Sequence, residues 1–202
     1  MRKLLHVFLI LAICTLVQCS KPAEEKTEPP EGEAGVEPES TAPAGKVMAS
    51  TDGLCEVTVQ GGWEATKGLH KKAKLQITNP YKEMFLVVFS EKKDMFPDLK
   101  LEEHSKETVK NLLETMSGGY SKPTTEVTLD GNRALISEIR GKAGNNMKIV
   151  YLHANVETPF YFHEVLAWTP DKKWNQNKYE LESVVKSFKE VKAAPAVQSS
   201  KS

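Results

Sequence analysis

Apolar residues follow two kinds of spacing between residues 51 and 192, and each kind predicts a different element. Alternating apolar and polar residues at positions 73–78 predict a half-buried strand. Residues 84–89 are continuously apolar, which is typical of a central strand covered on both faces. Together with a short strand over residues 54–59, these segments predict the first half of a single sheet.

Residues 101–116 carry the clearest helical pattern in the chain. Their charged residues fall on one side, and Gly118 and Gly119 predict the end of the helix because glycine readily adopts the left-handed conformation. His70 and His104 have lysine or glutamate neighbours, so both are predicted to be surface residues. The predicted buried face consists of Leu101, Ser105, Thr108, Val109, Leu112, Leu113 and Met116.

Two hairpins are predicted after this helix. An Asp-Gly signal joins strands over residues 125–129 and 133–140, because a tight hairpin turn needs residues with positive φ. A second pair of strands, rich in aromatic and β-branched residues, covers residues 147–156 and 160–169. The composition of this second pair predicts central strands.

A last helix is predicted over residues 171–191. The chain then has about seven strands, mostly linked by hairpins, with one helix between them and one at the end. The predicted fold class is therefore α+β, a mostly antiparallel sheet of about seven strands covered by helices. The apolar stripe of the last helix consists of Trp174, Leu181, Val184, Val185 and Phe188.

Residues 1–19 have the pattern of an export signal. Two basic residues precede a short apolar run, and polar sequence begins directly after Cys19. This apolar run is short for a helix that spans a membrane. Residues 16–19, Leu-Val-Gln-Cys, resemble the lipobox of bacterial lipoproteins, with Gln18 where Gly, Ala or Ser is usual. The resemblance implies that Cys19 receives a lipid and becomes the mature N-terminus; the alternative is ordinary cleavage near the same place.

Residues 20–50 differ in composition from the sequence that follows them. They are rich in Glu, Pro, Ala and Gly, with seven Glu against three Lys and almost no large apolar residue. Such a segment cannot bury enough surface to offset the entropy of ordering, so it is predicted to be a disordered tether. The predicted divisions are a signal peptide at 1–19, the tether at 20–50, a domain at 51–192 and a disordered tail at 193–202.

Charge and short motifs exclude some classes of function. The chain has 202 residues, with 27 Lys+Arg and 27 Asp+Glu, and in the predicted domain the two signs are interspersed. Without a basic block, nucleic acid is a poor candidate partner. The sequence has no nucleophile elbow, phosphate loop, HExxH or paired-cysteine metal motif. This favours a protein that is not an enzyme and needs no cofactor.

Cysteine is scarce in the predicted domain. Cys14 lies in the signal and Cys19 is the predicted lipid site, so Cys55 has no partner for an internal disulfide. The apolar surroundings of Cys55 predict a small buried hydrophobic residue, with a reactive thiol as the alternative.

Four short segments resemble the PsbP-like fold, which the Mog Ran-binding proteins share with bacterial lipoproteins of the DcrB and LpqN types. They are Val-Thr-Val-Gln-Gly-Gly-Trp at 57–63, Leu-Glu-Glu at 101–103, Val-Thr-Leu-Asp-Gly-Asn-Arg-Ala at 127–134 and Val-Val-Lys-Ser-Phe-Lys at 184–189. The usual proline before Gly-Trp is absent. The resemblance spans about residues 52–191, and it implies a protein of binding or assembly rather than an enzyme.

Two pairs of residues are candidates for a site. His153 and His163 lie on the two strands of the last hairpin, where imidazoles with a nearby carboxylate would suit zinc. A shift of one residue in strand pairing moves one of them to the other face, and the alternative is that both are packed strand residues. Trp168 and Trp174 are candidates for one wall of a binding cleft, with a position in the core as the alternative.

These observations predict a lipid-anchored protein of the bacterial cell envelope, with a non-catalytic binding or adaptor domain on the extracytoplasmic side. Its partners would be the outer or cytoplasmic membrane, through the N-terminal lipid, and an unknown envelope protein. One alternative is a domain that binds a small ligand or a metal ion at the last hairpin. A further alternative is an enzyme acting on envelope material.

Overall fold

A computed structural model of the protein describes residues 45–144 and 146–191. In these residues the helices are α1 (Leu101–Glu114) and α2 (Trp174–Lys186). The strands are β1 (Lys46–Ala49), β2 (Cys55–Val59), β3 (Glu64–Ala65), β4 (Leu75–Asn79), β5 (Met84–Lys92), β6 (Ser117–Ser121), β7 (Thr125–Leu129), β8 (Asn132–Ala143), β9 (Met147–Glu157), β10 (Tyr161–Pro170) and β11 (Lys189–Glu190).

The described strands form two antiparallel sheets. The large sheet has eight strands in the order β3-β4-β5-β10-β9-β8-β6, and β7 also pairs with β8. The small sheet has the order β1-β2-β11. The β7–β8 turn contains Asp130 and Gly131 with φ of 49° and 77°, which confirms the predicted tight hairpin. The predicted α+β class with a mostly antiparallel sheet is confirmed.

The prediction that the first three strands share one sheet is wrong. β4 and β5 pair with each other in the large sheet, but β2 pairs with β1 and β11 in the small one. β1 lies within residues 20–50, the segment assigned to the tether. Only Met48 of β1 is buried, so this strand has no apolar alternation by which the sequence could reveal it. Residues 20–44 of the assigned tether, the signal and the tail at 193–202 lie outside the described residues.

Both helices are shorter than the sequence predicted. A 3₁₀ turn occupies Asp171–Lys173 before α2, and α2 ends at Lys186 rather than continuing to residue 191. The Ser187 hydroxyl donates a hydrogen bond to the Thr58 carbonyl at 3.0 Å and accepts one from the Thr58 amide at 2.8 Å. These bonds connect the end of α2 to β2, and the chain then pairs with β2 as β11.

Gly118 and Gly119 lie in β6 rather than at the end of α1. A Cβ atom at Gly141 of β8 would lie 2.9 Å from the Gly119 Cα and 2.8 Å from the Met116 Cε. The two strands therefore approach each other at a place where glycine is needed for space. Helix α1 ends earlier, at Glu114, and Thr115 is its C-terminal capping residue.

Helix α2 and the small sheet cover one face of the large sheet, called here the α2 face. Its main core includes the predicted stripe of α2, all of which is buried, together with side chains of β2, β4, β5, β9 and β10. The predicted burial of the five stripe residues is confirmed, although Phe188 lies two residues after the end of α2. The stripe residues in this core are Trp174, Leu181, Val184, Val185 and Phe188.

Helix α1 lies on the other face, called here the α1 face. It packs on β6, β8 and β9, and so leaves the β4 and β5 side of this face without a helix. The apolar core beneath it is small: Leu101, Leu135 and Phe162, with Leu99 packed against them. This uneven coverage decides which side chains of the sheet meet solvent.

Candidate functional site

The strand register places His153 and His163 on opposite faces of the large sheet. His163 pairs with Val156, and His153 pairs with Leu166. Paired residues share a face and successive residues alternate, so His163 lies on the α2 face and His153 on the α1 face. A single ion cannot bind both imidazoles, and the hypothesis of a shared metal site is therefore wrong. Within residues 45–144 and 146–191, no three His, Cys, Asp or Glu side chains are placed to hold a metal ion.

His153 belongs to a polar layer between α1 and the sheet. Its Nε2–H donates to Glu164 Oε1 at 2.9 Å, because a carboxylate oxygen can only accept. Asn155 Nδ2 donates to His153 Nδ1 at 3.3 Å and to Thr108 Oγ1 on α1 at 3.1 Å. His153 and Asn155 are fully buried, so these bonds replace the water that both side chains lose on folding.

His104 is buried, with 5% of its surface exposed, so its prediction as a surface residue is wrong. Its ring stacks on Phe162 at 4.6 Å, and its Nε2–H donates to Glu91 at 3.2 Å. That hydrogen bond is the main cause that lowers the pKa of Glu91. The glutamate neighbours of His104, such as Glu103, had suggested an exposed position. The helical spacing of three residues from Leu101 is the signal that places His104 on the side of α1 that faces the sheet.

His163 joins the two sheets on the α2 face. Its Nδ1 lies 2.9 Å from the Ser90 hydroxyl, and its Nε2–H donates to Glu190 Oε1 of β11 at 3.4 Å. Glu190 Oε1 also accepts a hydrogen bond from the Thr158 hydroxyl at 2.8 Å. Burial lowers the pKa of His163, and the hydrogen bond to Glu190 opposes this in part. The cluster stabilises the attachment of β11.

Cys55 lies near this cluster and is buried. Burial raises the pKa of its thiol to about 11, although hydrogen bonds with Ser50 and Ser90 act in the other direction. The thiolate is therefore scarce at neutral pH, and the prediction of a buried hydrophobic residue is confirmed.

Trp168 and Trp174 do not line a common cleft. Trp168 pairs with Tyr151 and lies on the α1 face, whereas Trp174 begins α2 and belongs to the core on the other side of the sheet. Trp174 is 5% exposed, and the Arg140 guanidinium lies 5.6 Å from its ring centroid. The hypothesis of a shared cleft wall is therefore wrong, and Trp174 belongs to the core.

Trp168 is instead the centre of a row of three aromatic rings, called here the aromatic row. Phe85 on β5 stacks on Trp168 with centroids 5.3 Å apart and planes at 19°. Tyr151 on β9 packs on the other side at 5.7 Å and 40°. All three are half-buried, as are Phe89 and Leu166 on the same face. Burial raises the pKa of Tyr151 to about 12, so its hydroxyl stays protonated.

The aromatic row spans three neighbouring strands of the large sheet. The two best-formed depressions in the described part of the chain lie on the outer sides of α1 and α2, and no ring of the row lines either. An aromatic surface that lies outside these depressions suits a macromolecular partner better than a small ligand, which normally binds in a concave site. Among residues 45–144 and 146–191, no helix is long and apolar enough to cross a membrane.

Solved structures with a similar fold include three proteins of different origin. PsbP of the cyanobacterium Synechocystis (CyanoP) has a TM-score of 0.56 and 15% identity, covering 79% of this chain and 98% of that chain. The described part of this chain therefore has the PsbP-like α+β fold. LpqN of Mycobacterium tuberculosis, described as involved in cell envelope biogenesis, has a TM-score of 0.53 and 13% identity, covering 75% of this chain and 87% of its own.

The third structure is the Saccharomyces cerevisiae Ran-binding protein Mog1p. It has a TM-score of 0.53 and 13% identity, and the match covers 73% of this chain and 95% of that chain. No family model and no curated protein matches this sequence. At these identities the likeness shows the fold alone.

Proposed function

We propose that this protein is a lipid-anchored component of the bacterial cell envelope, and that its domain binds another envelope protein without catalysing a reaction. The observation that carries the proposal is the half-buried aromatic row on the α1 face. Support also comes from the lipobox-like residues before Cys19 and from the fold shared with a Ran-binding protein and an envelope protein.

The aromatic row is a suitable binding surface because of where it lies. Phe85, Trp168 and Tyr151 stand on β5, β10 and β9, which are central strands of the large sheet. Central strands are normally covered, and burial of exposed apolar area is worth roughly 25 cal/mol per Å². A partner that covers the row gains this free energy on a surface that is already rigid. Aromatic residues are also enriched in protein interfaces.

The packing of the rings indicates the kind of contact. Phe85 and Tyr151 occupy the two sides of Trp168, so the Trp168 ring presents mainly its edge to solvent. The edge of an aromatic ring carries a partial positive charge and attracts carbonyl and carboxylate oxygens. Stacking of a flat ligand on an open ring face is disfavoured, which supports a protein partner that contributes backbone and aliphatic groups.

A crosslinking experiment tests the binding surface. A photo-crosslinking amino acid replaces Phe85 in the full chain expressed in its host, with replacement of the exposed Tyr81 as the control. We expect one discrete crosslinked product, resolved by mass spectrometry as one envelope protein, from position 85 and not from position 81. No product from position 85, or the same products from both positions, would contradict the proposed binding surface.

The anchor is tested separately through Cys19. The Cys19→Ala protein should remain an unprocessed precursor or leave the membrane fraction, because two or three acyl chains supply about 0.8 kcal/mol per buried methylene for stable anchoring. The measurement is cell fractionation with detection of the mature size. Normal maturation and unchanged membrane fractionation would show that the lipid is not at this position.

A further inference from the structure

Two neighbouring loops at one end of the large sheet expose three large apolar side chains. Met95 and Phe160 are 69% and 73% exposed, and Phe96 is also exposed. The Lys93 amide donates a hydrogen bond to the Phe160 carbonyl at 2.9 Å, which holds the two loops together. We call Met95, Phe96 and Phe160 the apolar tip.

We propose that the apolar tip contacts the surface of the bilayer that holds the protein's lipid anchor. This inference rests on the proposed anchor, which keeps the domain beside a membrane. The tip follows the end of β5 and precedes the start of β10, and its side chains are exposed to solvent. Protruding side chains can enter a lipid interface without a matching cavity, whereas a protein partner would need a complementary pocket.

The charges around the tip fit a shallow contact. Lys92 and Lys100 are exposed beside it, where their ammonium groups can reach lipid phosphates. Asp94 and Asp98 are also exposed and flank Met95 and Phe96. Because carboxylates are costly to bury in hydrocarbon, the tip can enter only to the depth of the headgroups. The mixed charges also predict little dependence on anionic lipid.

The remaining lysine of the loop strengthens the base of the tip. Lys93 Nζ donates a hydrogen bond to Glu157 Oε1 at 2.5 Å and lies 5.2 Å from the centroid of the Phe162 ring. Phe162 is fully buried, so the loop is connected to the interior of the sheet. The apolar side chains are therefore presented by an anchored loop, which lowers the entropy lost on contact.

The sheet supplies a matched control at its other end. β5 pairs with β10 from Phe85 opposite Trp168 to Lys92 opposite Tyr161. Tyr81 precedes β5 and is 87% exposed, so it lies at the end opposite to the apolar tip. Cys55 is 1% exposed and has a thiol pKa of about 11, which protects it from labelling.

The test uses the lipidated full chain, purified from membranes and reconstituted into vesicles of phosphatidylethanolamine and phosphatidylglycerol. A nitroxide label is attached at Phe160→Cys, at Met95→Cys, or at Tyr81→Cys as the control. Electron paramagnetic resonance then measures collisions with oxygen, which concentrates in lipid, and with a water-soluble nickel chelate. We expect the ratio of oxygen to nickel accessibility to be several-fold higher at positions 160 and 95 than at position 81.

The outcomes separate this inference from the proposed function. A protein that floats with the vesicles while both tip labels report water, as at position 81, overturns this inference and leaves the anchor intact. A protein that does not float with the vesicles overturns the proposed anchor and this inference with it. Protection of the tip labels from both reagents indicates a protein contact and also overturns the inference.

Discussion

The two faces of the large sheet hold their helices by different means. Helix α2 docks through a large apolar core that it shares with the small sheet. Helix α1 docks through a small apolar cluster and a polar layer in which Thr108, Asn155 and His153 are hydrogen-bonded. Apolar burial contributes more free energy than hydrogen bonds that replace bonds to water. The α2 face is thus the main source of stability, and the α1 face has the less stable attachment.

This difference relates stability to the proposed function. The candidate binding surface, the aromatic row, lies on the face with the weaker docking. A large core on one face allows the other face to keep half-exposed aromatic residues without loss of the fold. The following experiments test the comparison, from the largest expected effect to the smallest.

Phe188→Ala tests the α2 face. Phe188 is 1% exposed and belongs to the main core, so the truncation should leave a cavity and lower the free energy of unfolding by about 3–5 kcal/mol. Urea unfolding measures the change. The control, Lys186→Ala at the end of α2 and two residues before Phe188, removes an exposed side chain and should change stability by less than about 0.5 kcal/mol. Equal midpoints for the two variants would show that Phe188 does not dock α2.

Thr108→Val tests the polar layer beneath α1. Valine has a similar shape but cannot accept the hydrogen bond from Asn155 Nδ2, so stability should fall by about 1–2 kcal/mol. Hydrogen exchange of the α1 amides should accelerate, while exchange in α2 should change little. Thr115→Val removes an exposed hydroxyl at the end of α1 and should have almost no effect. Equal effects of the two variants would contradict the role of the polar layer.

Acid titration should distinguish the faces by the pH at which each loses stability. The pKa of His163 on the α2 face is lowered by burial. Below its ordinary value of about 6.5, the unfolded chain binds more protons than the folded one, so stability falls as the pH decreases from there. Unfolding of the wild type and of His163→Gln across this range measures the effect. A pH dependence identical in both proteins would exclude His163 as its source.

The α1 face should respond at lower pH. The hydrogen bond from His104 lowers the pKa of Glu91, so its contribution is present above the ordinary glutamate pKa of about 4.3 and is lost as the pH falls below it. Glu91→Gln should abolish the loss of stability below the glutamate pKa. It should retain the loss of stability that begins near pH 6.5 and is due to His163. We expect this to be the smallest of the effects, since Glu91 is half exposed to solvent. Loss of both dependences in this variant would contradict the separation of the faces.

Much of the fold was predictable because its signals are local. The tight turn at Asp130 and Gly131, the long strands of the last hairpins and the apolar stripe of α2 depend on residues close together in sequence. The short strands were missed for the opposite reason. β1 and β11 have four and two residues, and both form only because β2 is present to pair with them. Too few residues were available to show a period.

The candidate sites were less predictable because each depends on a face. His153 and His163 were correctly placed on neighbouring strands, and the structure places Trp168 on the α1 face. The predicted neighbour of Trp168 was wrong, because Trp168 packs with Phe85 and Tyr151 and not with Trp174. The sequence shows Phe85 only as one residue of the continuous apolar run at 84–89. Nothing in the run shows which of its side chains α1 leaves uncovered.

The sequence by itself determined the class of the fold, the order of its long elements and the export-like pattern before Cys19. Local spacing and turn chemistry specify these features. Only the tertiary structure decided that His153 and His163 lie on opposite faces, and that His104 is buried. The side-chain period of a strand is two, so a shift of one residue in pairing exchanges the faces. The pairing and the coverage by helices arise from contacts between distant residues, which no local pattern contains.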